Sequence, residues 1–137
     1  MIYFYADSGL SSQVGQINVM QTTDGAAPPV DRCVYLGDPR TGYFFQAASD
    51  PGVDQISVSI ANSLTGNQIP ASSVRLALTQ EDLATATPGA ALDVGTSILS
   101  GAENAVWVWV RIDTGVLTAG AYSNLSLVTS GVLEDST

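Results

Sequence analysis

The sequence contains no histidine and no lysine. Without histidine, neither Ser–His and Cys–His nucleophile pairs nor the usual catalytic zinc ligand sets can be assembled. Without lysine there is no Schiff-base amine and no P-loop lysine. No glycine-rich phosphate cradle follows a strand-like run. The single cysteine, Cys33, has no partner for an intramolecular disulfide. It lies in the apolar run Cys33-Val34-Tyr35-Leu36, where a buried, inert thiol is expected over a reactive one.

Carboxylates are the catalytic groups that remain. Glu81, Glu103 and Glu134 are the only glutamates. Glu81 falls in a short helical run, Glu103 in a turn before a strand and Glu134 in the tail. None of these contexts raises a pKa as a glycosidase acid requires. Asp50 and Asp54 flank a turn and can be imagined joining Asp24 or Asp31 around a calcium ion, but no EF-hand spacing is present. Solvated turn aspartates are the expectation. The chain is therefore expected to be no enzyme and to hold no metal and no cofactor.

Positive charge is scarce as well. Four arginines (Arg32, Arg40, Arg75 and Arg111) face 13 acidic residues, giving a net charge of −9. A surface of that sign repels phosphate and anionic lipid, which excludes direct nucleic-acid binding and docking on a membrane surface. Solubility and suppressed self-association, together with a salty habitat, explain it better than a specific cationic partner would. No apolar run approaches the ~18 residues of a membrane span. The start, Met1-Ile2-Tyr3-Phe4-Tyr5, lacks the basic region of a signal peptide. Synthesis in the cytoplasm without export by that route is expected.

Apolar residues make up 45% of the sequence and charged ones only 12%, a balance that favours a packed core over disorder. The 137 residues suit one domain spanning 1–137, and a chain of that length buries a core without staples. Apolar residues recur with period two. They do so at Ile17 and Val19, at Ile56, Val58 and Ile60, and at Val74, Leu76 and Leu78. The pattern returns at Val106, Val108, Val110 and Ile112, and at Leu125 and Leu127. The aromatic runs 2–5 and 43–45 read as strands on propensity.

Turn chemistry separates the runs. Asp38-Pro39-Arg40-Thr41-Gly42 suits a type I turn and predicts a hairpin joining 33–36 to 43–48. Asp50-Pro51-Gly52 suits a type II turn. Thr65-Gly66-Asn67, Thr87-Pro88-Gly89 and Ala119-Gly120 mark three more. Gly25-Ala26-Ala27-Pro28-Pro29 reads as an extended loop. Only Thr79-Gln80-Glu81-Asp82-Leu83-Ala84 reads as helical: one turn, with a capping residue first and acids after it. The sum is an all-β antiparallel sandwich with little helix.

Val106-Trp107-Val108-Trp109-Val110-Arg111-Ile112 is apolar on both faces, which a strand with one wet face should not be. Two readings stand. The valines enter the core while Trp107 and Trp109 are covered by the chain's own loop or N-terminus. Alternatively, Trp107, Trp109 and Arg111 belong to a subunit interface, where Trp and Arg are enriched. The pairs Tyr3/Tyr5 and Phe44/Phe45 raise the same question, and Tyr3 and Tyr5 join the interface candidates.

The segment Gly101-Ala102-Glu103-Asn104-Ala105 followed by that strand, then Ala119-Gly120-Ala121-Tyr122-Ser123-Asn124-Leu125-Ser126-Leu127, resembles the end of immunoglobulin-like sandwich domains. Such domains occur in bacterial surface proteins and in virion proteins of tailed bacteriophages. There, a Gly-x-Tyr step leads into the last strand. The resemblance covers about 30 residues. The Cys…Trp…Cys core of antibody domains is missing. The resemblance implies an immunoglobulin-like sandwich and a non-enzymatic virion protein: a capsid decoration, collar or tail component. Such a protein would be made in the host cytoplasm, reside in the virion, form homo-oligomers and contact other virion proteins. It transfers no residue role, since such proteins act through surfaces. The alternative is an adhesion or carbohydrate-binding module of the same fold, with Trp107 and Trp109 as a stacking platform.

Overall fold

Val108, Val110 and Ile112 are buried along one side of a seven-residue strand, so the period-two pattern has its expected physical outcome. The structure, a computed structural model, describes residues 1–15, 17–21, 25–27, 29–62, 69–117 and 119–137. Its strands are β1 (Tyr3–Tyr5), β2 (Ile17–Gln21), β3 (Gly25–Ala27), β4 (Val30–Gly37), β5 (Tyr43–Ala47), β6 (Ser57–Asn62) and β7 (Val74–Ala77). They continue with β8 (Leu92–Asp93), β9 (Ser97–Leu99), β10 (Val106–Ile112), β11 (Gly115–Leu117), β12 (Gly120–Thr129) and β13 (Val132–Ser136). Every pairing among them is antiparallel.

The protein is an all-β sandwich. The front sheet has the order β1-β4-β10-β7. Behind it lie β2-β12-β6-β8 and β13-β5-β9, with a two-stranded β11-β3 ribbon besides. The two back sheets are sewn together where β12 passes into β13. The Ser130 amide donates to Ser57 O at 2.8 Å and the Ala48 amide to Gly131 O at 2.9 Å. The core between the layers takes Leu36, Val108 and Val110 from the front, and Phe45, Val58 and Leu125 from behind. Helical structure among the described residues is limited to 3-10 turns of three or four residues. One is the expected turn, Glu81–Ala84, entered with Thr79 Oγ1 accepting from the Asp82 amide at 3.3 Å.

Several expectations are corrected. The predicted 33–36/43–48 hairpin does not form. β4 pairs with β1 and β10, and β5 with β13 and β9. Residues 38–42 instead carry the chain from the front layer to the back. Backbone groups at both ends of this arch bond to the β9–β10 connection. The Gly101 amide donates to Asp38 O at 2.7 Å and the Ser100 amide to Tyr43 O at 2.9 Å. The same turn residues serve a hairpin or an arch, and Leu36 and Phe45, which bury from opposite layers, decide for the arch.

Gly25–Ala27 is a strand, not a loop, because it pairs with the distant β11. Glu134 lies in β13, not in a loose tail. Leu78 is exposed, since β7 ends at Ala77. The turn at 50–52 forms as read, with Gly52 at φ +80 and the Val53 amide donating to Asp50 O. The turn at 65–67 lies outside the described residues. Of the two segments that carry the resemblance, β10 belongs to the front sheet and β12 to the back, so they are not hairpin neighbours.

Candidate functional site: an aromatic strip on the front sheet

Alternation sends Trp107, Trp109 and Arg111 to the outer face of the front sheet. Cross-strand register sets their neighbours: Trp107 faces Tyr35, Trp109 faces Cys33 and Arg111 faces Asp31 on β4. On the far side of β4, Tyr5 faces Tyr35 and Tyr3 faces Gly37. On the other flank, Ala77 faces Trp109 and Arg75 faces Arg111.

Both ends of this face are capped by the chain itself. At the β1 end, the connection after β1 folds back, with the Ala6 amide donating to Ser12 O and the Val14 amide to Phe4 O, each at 2.8 Å. The Asp7 carboxylate ties the loop by accepting from the Ser11 hydroxyl at 2.6 Å and the Ser12 amide at 2.8 Å. These bonds hold Asp7 below its ordinary pKa, so it stays charged. The loop seats buried Leu10 on Gly37. A Cβ at Gly37 would lie 2.9 Å from Leu10 Cδ1, so a larger residue there would make Leu10 shift. Leu10 pays for this seat with φ +56, a costly angle for a branched residue. Tyr5 is buried, and burial pushes its phenol up.

At the other end, the Glu81–Ala84 turn lies over β7 and β10. Arg75 Nη1 donates to Leu83 O at 3.3 Å and Ala84 O at 3.1 Å. Leu83 is fully buried there, apart from the core between the layers. Arg111 is held by Asp31 in a two-pronged pair, Nε to Oδ1 at 2.8 Å and Nη2 to Oδ2 at 3.0 Å. That bond draws the Asp31 carboxyl down in pKa. Arg111 thus shares the face with the tryptophans but is committed internally.

The middle stays open. Trp107 is 52% exposed. Its ring meets half-buried Tyr35 edge to face, with centroids 5.3 Å apart and planes at 82°. Trp109 and Cys33 are half-buried beside them. Cys33 is thus less enclosed than expected, yet burial pushes its thiol up, away from the reactive thiolate. Tyr3 is exposed. The structure therefore brings Trp107, Trp109 and Arg111 onto one face, places Tyr3 at its margin and removes Tyr5 from solvent. Tyr35, the ring partner of Trp107, was missed because its register against β10 is not a local property. Phe45 points into the core, while Phe44 lies half-buried on the outer side of β5 beside exposed Leu99.

A second constellation joins the arch to β13. Asp38, 2% exposed, accepts from Arg40 Nε at 2.9 Å and Nη2 at 2.5 Å, and from the Met1 amino group at 3.1 Å. Arg40 also donates to Glu134 and lies 4.1 Å over the Tyr43 ring. Arg40 first of all holds Asp38 well below the usual carboxylate range. The Asp38 turn is visible in the sequence, but its link to Glu134, 94 residues from Arg40, is not.

Among the described residues, no group of three or more His, Cys, Asp or Glu is placed to hold a metal ion. Asp31 is engaged by Arg111 and Asp54 by Ser49, and Asp24 lies outside the described residues. What the face offers chemically is aromatic surface. No family model, no curated protein and no solved structure matches the chain.

Proposed function

We propose that this chain is a non-enzymatic structural protein of a tailed-phage virion. In this reading it is a capsid decoration, collar or tail component that works through contacts with itself or other virion proteins. The observation that carries the reading is the open centre of an otherwise capped sheet face. Leu10 and Leu83 close its ends, and Trp107 is left half in solvent. A large exposed ring beside a second ring is a usual anchor of protein contacts. The virion setting comes from the resemblance in 101–112 and 119–127.

The carbohydrate-binding alternative asks for rings that present one flat platform. Of the two rings named for it, Trp109 is half-buried, and the ring that meets Trp107 is Tyr35, at 82°, a geometry that suits packing against an irregular protein surface better than stacking under a sugar. Mass spectrometry of purified particles, from cells producing phage that carry this gene, tests the proposal. Peptides of the chain are expected at stoichiometric levels. A chain abundant in the lysate and missing from the particles overturns the virion reading.

A further inference from the structure

We infer that the Trp107–Tyr35 strip receives a cationic partner, a lysine- or arginine-bearing surface of a second protein whose positive side chain lies over the exposed indole. This deepens the assembly reading above and rests on it.

Three observations carry it. The first is charge. The chain bears −9, and three of its four arginines are spent internally. Arg40 binds Asp38 and Glu134, Arg111 binds Asp31, and Arg75 binds the carbonyls of Leu83 and Ala84. Arg32, exposed, stands opposite Val110 in register and so on the other side of β4 from Tyr35. The second is what frames the rings. Asp7 lies in the loop at one end, fixed there by its bonds from Ser11 and Ser12. Exposed Glu81 and Asp82 lie in the turn over the other end. The third is the ring itself, since an exposed indole is the best aromatic acceptor for a cation.

The same facts disfavour a second copy on this face. Two chains of −9 repel each other, and a symmetric contact would set acid against acid, Asp7 meeting either its own equivalent or the Glu81–Asp82 pair. A phosphate-bearing partner is disfavoured by the same sign.

The test uses the full chain and a labelled tetra-arginine peptide read by fluorescence anisotropy, with tetraserine as the neutral control. Measurement at about 0.01 M salt, where the Debye length is about 30 Å, maximises the effect. Saturable binding of tetra-arginine and none of tetraserine is expected. Trp107→Leu keeps an apolar side chain on an exposed site, so it folds, and it should weaken binding about two- to fivefold. Asp7→Asn should weaken binding more than Asp93→Asn, the same charge change on β8 in the back layer.

If Trp107→Leu leaves the affinity unchanged and the two Asp→Asn changes are equal, the peptide feels only diffuse charge and the inference is overturned. If light scattering shows an oligomer that Trp107→Leu dissolves, a second copy covers the face. The inference then fails while the assembly reading stands. If instead Trp107→Leu weakens peptide binding but the variant enters particles at the normal level, the cation site stands. In that case the face is not the assembly contact.

Discussion

The two sides of β10 differ in what covers them. Inward, Val108, Val110 and Ile112 meet a whole opposing layer and disappear from solvent. Outward, Trp107, Trp109 and Arg111 meet only short local covers: the Glu81–Ala84 turn at one end and the Leu10 loop at the other. The smaller side chains are thus the better buried, and one of the strand's two tryptophans, Trp107, is left open. Burial here follows the area of the opposing surface, not the hydrophobicity of the residue. That explains why the strand is apolar on both sides without being buried on both sides.

The sharpest way to break this comparison is to make the inward side polar. Val108→Asp places a charge opposite Val34, inside the core between the layers. The expected cost exceeds about 4 kcal/mol, enough to unfold most of the chain. Circular dichroism at 25 °C should show the strand signal lost. The outward change Trp107→Asp should keep it. Equal loss in both would mean that the outer side is as enclosed as the inner.

Next in size is Leu83→Ala. Leu83 is fully buried, but in a satellite contact under one turn. A buried Leu→Ala change costs about 2–5 kcal/mol, with the low end where the site collapses readily. A 3-10 turn held by two carbonyl bonds from Arg75 can settle onto the sheet, so a value near 2 kcal/mol is expected by urea denaturation. A loss near 5 kcal/mol would make this turn part of the rigid core.

Much of the inward side was readable from the sequence, because it depends on period two. Val58, Val74, Leu76, Val108, Val110 and Leu125 are buried where alternation puts them. What could not be read is partnership at a distance. Asp38–Gly42 has the same turn chemistry whether it closes a hairpin or arches between layers. The choice is made by contacts at residues 100 and 101. Gly25–Ala27 and Val132–Ser136 became strands through partners far along the chain. For the site, Trp107, Trp109 and Arg111 stood out as one face. Tyr35, Asp31 and the covering residues Leu10 and Leu83 did not, since register and loop path set them.

The Asp38 cluster yields an effect of similar size that depends on pH. Arg40 lowers the folded-state pKa of Asp38 below its unfolded value near 4. The resulting stability is present above that value and is lost as pH falls below about 4. Glu134, lowered by the Met1 amine and by Arg40, adds to the same slope. Asp38→Asn should cost about 1.5–3 kcal/mol at neutral pH, the usual worth of a hydrogen bond to a charged group. It should also flatten the fall in melting temperature between pH 5 and pH 2. An unchanged acid slope in the variant would move that dependence to Asp7 or Asp31.

The smallest folding effect is expected at the most conspicuous residue. Trp107 keeps half its surface in water, so truncation removes only the covered half of the ring and one edge-to-face contact with Tyr35. That contact is worth about 0.5–1.5 kcal/mol. The truncated side also faces solvent, so no cavity is left behind. Trp107→Ala should therefore lower stability by about 1 kcal/mol, a melting shift of about 4 °C for a chain of this size. Trp109→Ala, between Cys33 and Ala77 and beside the Leu83 turn, should cost more. A buried Trp→Ala change costs about 3–5 kcal/mol. If Trp107→Ala reached that range in an isolated monomer, the chain itself would be covering the ring. The contrast between the two sides of β10 would then collapse, and with it the case for a partner on this face.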